Sequence, residues 1–186
     1  MNIYFSCSIT GGRQDEAVYQ AIVDFLLAAG HEVPTAHLSG SNVVELEESV
    51  DARDTYQRDV DWVIGCQALV ADVSTPSHGV GYEIALALSE GKPVLCCYKA
   101  GRKVSKMITG NSHPTLRLAE YHSADEAVRH VKDFLDQADQ RRLAGMGCDG
   151  AAGGAVSITG GGTFTFSRAG GVTTEGAAAP TEVDVP

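Results

Sequence analysis

The feature that most constrains this chain is an alternation. Short strand-like runs, near-continuous in apolar residues for the most part, are each followed by a segment with apolar residues three and four apart. The runs are residues 2–9, 31–35, 68–73, 94–98 and 117–121. The intervening segments predict helices over 13–29, 45–66, 80–90 and 123–143, with a short one over 103–109. Gly30 and Gly91 stop the first and third of these, and Pro93 cannot extend the third. Most strand runs are near-continuous in apolar residues, as expected when both faces of a sheet are covered. Strand–helix alternation with right-handed crossovers predicts an α/β fold. The expectation is a five-stranded parallel sheet, doubly wound in the flavodoxin or Rossmann manner. Its crevice would lie at the carboxyl ends of the strands.

This pattern stops near Leu143. Eleven of the 21 glycines lie in residues 145–186, among many Ala, Ser and Thr. Such a composition buries too little apolar surface to offset its ordering entropy. The expectation is one domain over 1–144 and a disordered low-complexity tail over 145–186. Within the tail, Val156–Ile158 and Phe164–Phe166 alternate weakly around Gly160–Gly162, as a hairpin would.

The formal net charge is -10. A nucleic-acid backbone needs clustered Lys and Arg, so that partner is not expected. No run of about 18 apolar residues occurs, so no membrane span is expected. MNIYFSCSIT lacks a basic leader and runs straight into a strand, unlike a signal peptide. The five cysteines form no C-x-x-C pair, and Cys96 and Cys97 are adjacent in an apolar run. Reduced thiols in the cytoplasm or nucleus are expected. The six histidines have no metal-ligand spacing, and neither a metal nor a cofactor is expected.

Three places could carry chemistry. In the strand–turn–helix PSHGVGYE, Gly79 and Gly81 would allow a tight turn, and Glu83 would lie in the first helical turn. The positive helix end would keep that carboxylate ionised. It could then attack an anomeric carbon, although an ordinary acidic helix start fits the spacing equally well. In YFSCSITGGR, period two places Tyr4, Ser6 and Ser8 on one face. Gly11 and Gly12 then lead into a helix N-terminus suited to an anion, with Arg13 as a charge beside it or as a solvated side chain. No G-x-G-x-x-G or P-loop spacing is present. Asp59 shares a helical stripe with Tyr56, Val60 and Val63. It is a candidate second carboxylate, or a solvated one. Two carboxyls about 5 Å apart are the arrangement of a retaining glycosidase.

Taken together, Tyr4–Arg13, Asp59 with Trp62, Pro76–Glu83 and Gly101–Ile108 resemble one family. These segments look like the 2′-deoxynucleoside 5′-phosphate N-hydrolases of the nucleoside 2-deoxyribosyltransferase superfamily. The resemblance spans about residues 2–136 and departs from the family pattern at Cys7, Thr10 and His78. It implies a nucleotide N-glycosidase domain releasing a free base and 2-deoxyribose 5-phosphate. Glu83 matches the nucleophile, Asp59 the acid that assists base departure, and Tyr4 the hydroxyl that orients the nucleophile. Ser8, Ser77 and Ser105 match phosphate-binding hydroxyls. Ser105 would come from the neighbouring subunit of a homodimer. Base exchange by a deoxyribosyltransferase is the alternative within enzymes; an idle nucleotide sensor is the alternative outside them.

Overall fold

The computed structural model describes residues 1–40, 43, 50–145, 165–166 and 172–173. The chain divides into two compact units, Met1–Ala144 and Gly145–Pro186. In the first, the strands β1 (Ile3–Ser6), β2 (Ala68–Asp72), β3 (Val94–Lys99) and β4 (Leu116–Tyr121) form a parallel sheet in that order. Its register pairs Tyr4 with Leu69 and Ala71 with Cys96. The helices are α1 (Glu16–Ala28), α2 (Ala52–Gly65), α3 (His78–Ser89), α4 (Lys106–Thr109) and α5 (Ala124–Gly145), with a 3-10 turn at Ala36–Ser39.

Helices cover both faces of the sheet. On one face, Tyr19, Ile22 and Leu26 of α1 and Val131 and Phe134 of α5 pack against Ile3, Phe5, Val70 and Leu95. On the other, Val63 of α2 and Val80, Ile84 and Ala87 of α3 pack against Tyr4, Leu69, Ala71 and Cys96. Strand residues alternate between two buried layers, so the strands read as continuous apolar runs. β1 and β2 are buried throughout.

The described residues hold four strands in this sheet rather than five. Residues 31–35 run beside β1, but only Asn2 and Glu32 form a bridge. Glu32 takes the Ile3 N–H and gives its own to the Met1 carbonyl. Pro34 then has no N–H for a ladder. The next β1 donor, the Phe5 N–H, goes instead to the Thr35 hydroxyl at 2.9 Å. A side chain completes the edge that a backbone was expected to complete.

The helix starts have identifiable caps. Asp51 accepts the Arg53 N–H, Ser77 the Val80 N–H, and Ser105 the Met107 N–H. At the other end of α1, Gly30 has φ +78 and its N–H reaches the Leu27 carbonyl. Residues 44–49, the expected start of the second long helix, lie outside the described residues. So do 156–158 of the expected hairpin. In the second unit, Thr165–Phe166 pairs antiparallel with Val172–Thr173.

Candidate active site

The capping by Ser77 corrects one reading and exposes the site. Helix α3 begins at His78, two residues earlier than the periodicity of Val80, Ile84 and Leu88 suggests. Gly79 and Gly81 are therefore inside the helix, with no left-handed φ, and they shape no turn. Glu83 lies in the second turn rather than the first. Its charge is managed from the sheet instead of the helix end. The Tyr4 hydroxyl donates to Glu83 Oε1 at 3.0 Å, and the Ser6 hydroxyl donates to Oε2. Tyr4 and Ser6 project from the same face of β1, and both are fully buried.

Electrostatics at Glu83 pull in two directions. Burial raises its pKa above the ordinary carboxylate range, while the Ser6 and Tyr4 hydrogen bonds lower it; the net direction is upward. Asp59 adds a further upward push through charge repulsion. The Tyr4 phenol is itself pushed far up by burial and by Glu83, so it stays a donor.

Asp59 joins Glu83 in the wall of a cleft of roughly 500 Å³, together with Thr10, Thr55, Ser77 and Gly79. Its Oδ1 accepts from Arg58 Nε at 2.9 Å, and the Arg58 guanidinium lies 4.9 Å from the centre of the Trp62 ring. Tyr56, Asp59, Gly79 and Glu83 also line a smaller hollow of roughly 220 Å³ with Val60 and Val63. The two carboxylates thus come from α2 and α3 to one opening.

Two loops close the same end of the sheet. Ser8 is buried, and its hydroxyl has no hydrogen-bond partner among the described residues. An unpaired buried hydroxyl is costly unless something accepts or donates there. Gly11 packs directly on the 74–77 loop: a Cβ at this position would lie 2.5 Å from the Pro76 carbonyl oxygen and 2.7 Å from Ser8 Oγ. Gly12 has φ +120, which side-chain-bearing residues rarely adopt. The 74–77 loop is held from below. Asp72, fully buried, accepts the Ser74 N–H at 3.0 Å and the Tyr121 hydroxyl at 2.8 Å.

Not every expected site residue converges here. Arg13 is committed to the Glu16 carboxylate and the Gly40 carbonyl, and its guanidinium lies 5.8 Å from the centre of the Tyr19 ring. It ties the Gly11-Gly12 loop to α1 and lines neither of the Glu83 openings. Ser105 and Gly81 lie in a separate groove of roughly 640 Å³, which they share with Ser77, Lys103 and Met107. Ser77 borders both this groove and the Glu83 cleft. Within one chain, Ser105 therefore does not line the cleft of Glu83. Among the described residues no group of three His, Cys, Asp or Glu could hold a metal ion. The four described cysteines, Cys7, Cys66, Cys96 and Cys97, are free and buried. Burial pushes the thiols of Cys7 and Cys96 up to about 12, which favours the neutral thiol.

Ser6 was not among the site residues expected from the sequence. Its signal was present in the period-two spacing from Tyr4, but only the crossing of α3 over β1 shows what that face meets.

Residues 3–151 match the family model described as nucleoside 2-deoxyribosyltransferase. The chain belongs to the nucleoside 2-deoxyribosyltransferase family. Among its relatives, a 5-hydroxymethyl-dUMP N-hydrolase of Esox lucius is 41% identical over 142 residues, 74% of this chain and 89% of that protein. One of the same name from Danio rerio is 37% identical over 139 residues, 73% of this chain and 96% of that protein. A solved CMP N-glycosidase of Clostridium botulinum shares the fold, with a TM-score of 0.52 and 18% identity. That alignment covers 71% of this chain and 99% of the other. The family assignment accounts for the α/β architecture with its parallel sheet. No described helix is long and apolar enough to cross a membrane.

Proposed function

We propose that this chain hydrolyses the N-glycosidic bond of 2′-deoxynucleoside 5′-monophosphates, yielding a free base and 2-deoxyribose 5-phosphate. The observation that carries the mechanism is the grip on Glu83. Both of its oxygens are hydrogen-bonded, at the wall of a cleft that also presents Asp59. An aimed carboxylate beside a second acid fits double displacement. Glu83 attacks the anomeric carbon, the C–N bond breaks, and Asp59 gives a proton to the departing base. Water then loses a proton to Asp59 and attacks the same carbon. The ester to Glu83 breaks and its carboxylate is restored.

The 5′-phosphate would be held by Ser8, Ser77, the backbone of Gly11-Gly12 and the first N–H groups of α3. Hydroxyls and helix N–H groups hold an anion without a dense basic cluster. The unpaired Ser8 hydroxyl and the Gly11 contact with the 74–77 loop support this reading. Ser105 completes the phosphate site by donation from a second subunit of a homodimer, because its own chain keeps it in a different groove. Residues 1–144 form the catalytic domain, and 145–186 have no catalytic role. In this reading residues 31–35 take the edge place of a doubly wound order, joined to β1 by the Asn2–Glu32 bridge and the Thr35 hydroxyl rather than by a full strand ladder. The buried free thiols fit a reducing compartment, the cytoplasm or nucleus.

The names of the fish relatives make 5-hydroxymethyl-dUMP the first substrate to test. A panel of deoxy- and ribonucleoside monophosphates, scored chromatographically for released base, tests the proposal. Base release from at least one deoxynucleotide, and slower release from the matching nucleoside, is the expected result. Tight nucleotide binding without base release would mean a sensor instead. The family description names 2-deoxyribosyl transfer. A new nucleotide formed when a free acceptor base is added would establish transfer over hydrolysis.

A further inference from the structure

We propose that Ser6 is a positioning residue of the Glu83 site. With Tyr4 it forms a two-hydroxyl clamp that sets both the plane and the charge of the carboxylate. This rests on the reading of Glu83 as the nucleophile.

The geometry is specific. Ser6 ends β1, two residues beyond Tyr4, so their side chains leave the strand on the same side. That side is covered by α3, and Glu83 reaches down between them. The phenol takes Oε1 and the serine takes Oε2. One donor alone would let the carboxyl group rotate about its last torsion, because terminal carboxylate torsions are broad. Two donors from a rigid, fully buried strand remove that freedom. Ser6 sits opposite Ala71 in the register, a small neighbour that leaves the hydroxyl nothing else to bond on that side. Its role is therefore legible only through Glu83.

The clamp also decides how Glu83 can be an anion in a buried position. Burial favours the neutral acid, and the two hydroxyls favour the charged form. Among the described residues, the other titratable or charged groups facing Glu83 are few. From β1 and the residue after it they are Tyr4 and Cys7, both kept neutral by burial. From α2 they are Asp59, which opposes the charge, with Arg58 paired to it; Tyr56 of α2 also lines the cleft. From α3 itself they are His78 and Tyr82, both exposed at the start of the helix. None of these replaces the donor that Ser6 supplies. A nucleophilic carboxylate works only when ionised, so activity rises with pH through the Glu83 titration. Losing a donor to the charged form moves that rise to higher pH.

The test is Ser6→Ala beside Ser6→Thr and Ser6→Cys, each first checked for an unchanged far-UV spectrum and a cooperative melt. Two readouts are taken. One is the pH profile of kcat/KM on a deoxynucleoside monophosphate. The other needs no substrate: the 13C titration of the Glu83 carboxyl carbon, assigned with Glu83→Gln. Ser6→Ala should move both the acid limb and the carbon titration up by about one to two pH units, from the loss of a charge-assisted hydrogen bond. Below the limb, kcat/KM should fall about ten- to a hundredfold; the deficit should narrow as the pH rises. Ser6→Thr, which keeps the hydroxyl, should restore most of the shift. If Thr does not fit, the weaker thiol donor of Ser6→Cys should lie between Ala and wild type. An unmoved carbon titration in Ser6→Ala, with an activity loss that is the same at every pH, would overturn the clamp and leave a packing role. A shifted titration in a protein that releases no base from any nucleotide would keep the clamp and remove the hydrolase reading.

Discussion

The contact between Gly11 and the 74–77 loop gives a prediction that can be worked through in numbers. In Gly11→Ala the new methyl would lie 2.5 Å from the Pro76 carbonyl oxygen and 2.7 Å from Ser8 Oγ. Nonbonded heavy atoms pack at about 3.5 Å, so one side of the contact must retreat by about 1 Å. Pro76 O is backbone and cannot rotate away. The loop it belongs to is pinned by Asp72 through the Ser74 N–H, and Ser77 at its end caps α3. Overpacking of this kind costs about 1–3 kcal/mol. For a chain of this length that lowers Tm by about 2–12 °C. If the loop gives way, Ser77 leaves the proposed phosphate position. Loss of one hydrogen bond to a charged group then raises KM by about ten- to a hundredfold, with kcat changed less. Thermal melts and steady-state kinetics on a deoxynucleoside monophosphate read both effects. Gly12→Ala is the control for mechanism. It meets only Thr75 Cγ2 at 4.0 Å, so its penalty comes from φ +120 alone, about 1–3 kcal/mol. A Gly11→Ala protein that melts and binds like wild type would show that the close approach of the two loops does not shape the site.

Other perturbations separate the remaining roles. Glu83→Gln should abolish base release yet fold normally. Glu83 has a raised pKa in the folded state, so its favourable contribution is full below about 4.5 and is lost as the pH climbs through the raised value. The variant should therefore show a shallower fall in Tm from mildly acidic to neutral pH, and a steeper fall would contradict the assigned direction. Ser105→Ala should raise KM for the nucleotide far more than for the nucleoside, since only the former carries a phosphate. Wild-type specific activity should drop on dilution as a shared site comes apart; activity independent of both would remove Ser105 from catalysis. Deleting residues 145–186 should leave turnover nearly unchanged, and a large loss would give that segment a catalytic part.

Much of the architecture could be read from periodicity because both layers of the sheet are apolar. Ile3, Phe5 and Val70 face α1 and α5, while Tyr4, Leu69 and Ala71 face α2 and α3. The edge at 31–35 could not, because Pro34 removes a donor and a Thr35 side chain stands in for the ladder. Apolar spacing alone puts the start of α3 late because Ser77, its cap, gives no apolar signal. That shift moved Glu83 out of reach of the helix end and left its charge to two residues of a distant strand. Glu83, Asp59 and Tyr4 were legible as chemistry-bearing types in suggestive places. Their meeting depends on α2 and α3 lying on the same face of β1, which no local pattern encodes. Arg13 looked like a phosphate ligand because it is a cation near a helix start. Its Nε and Nη2 go to Glu16 and the Gly40 carbonyl, while Nη1 is buried with no hydrogen-bond partner among the described residues.

The central claim is that Glu83 forms the bond to the sugar. The most direct measurement is rapid acid quench of the enzyme during turnover of a deoxynucleoside monophosphate, followed by peptide mass spectrometry. The account predicts a 2-deoxyribose 5-phosphate adduct on the peptide containing Glu83, absent from Glu83→Gln. Base release that continues in Glu83→Gln, or an adduct on any other residue, would contradict it.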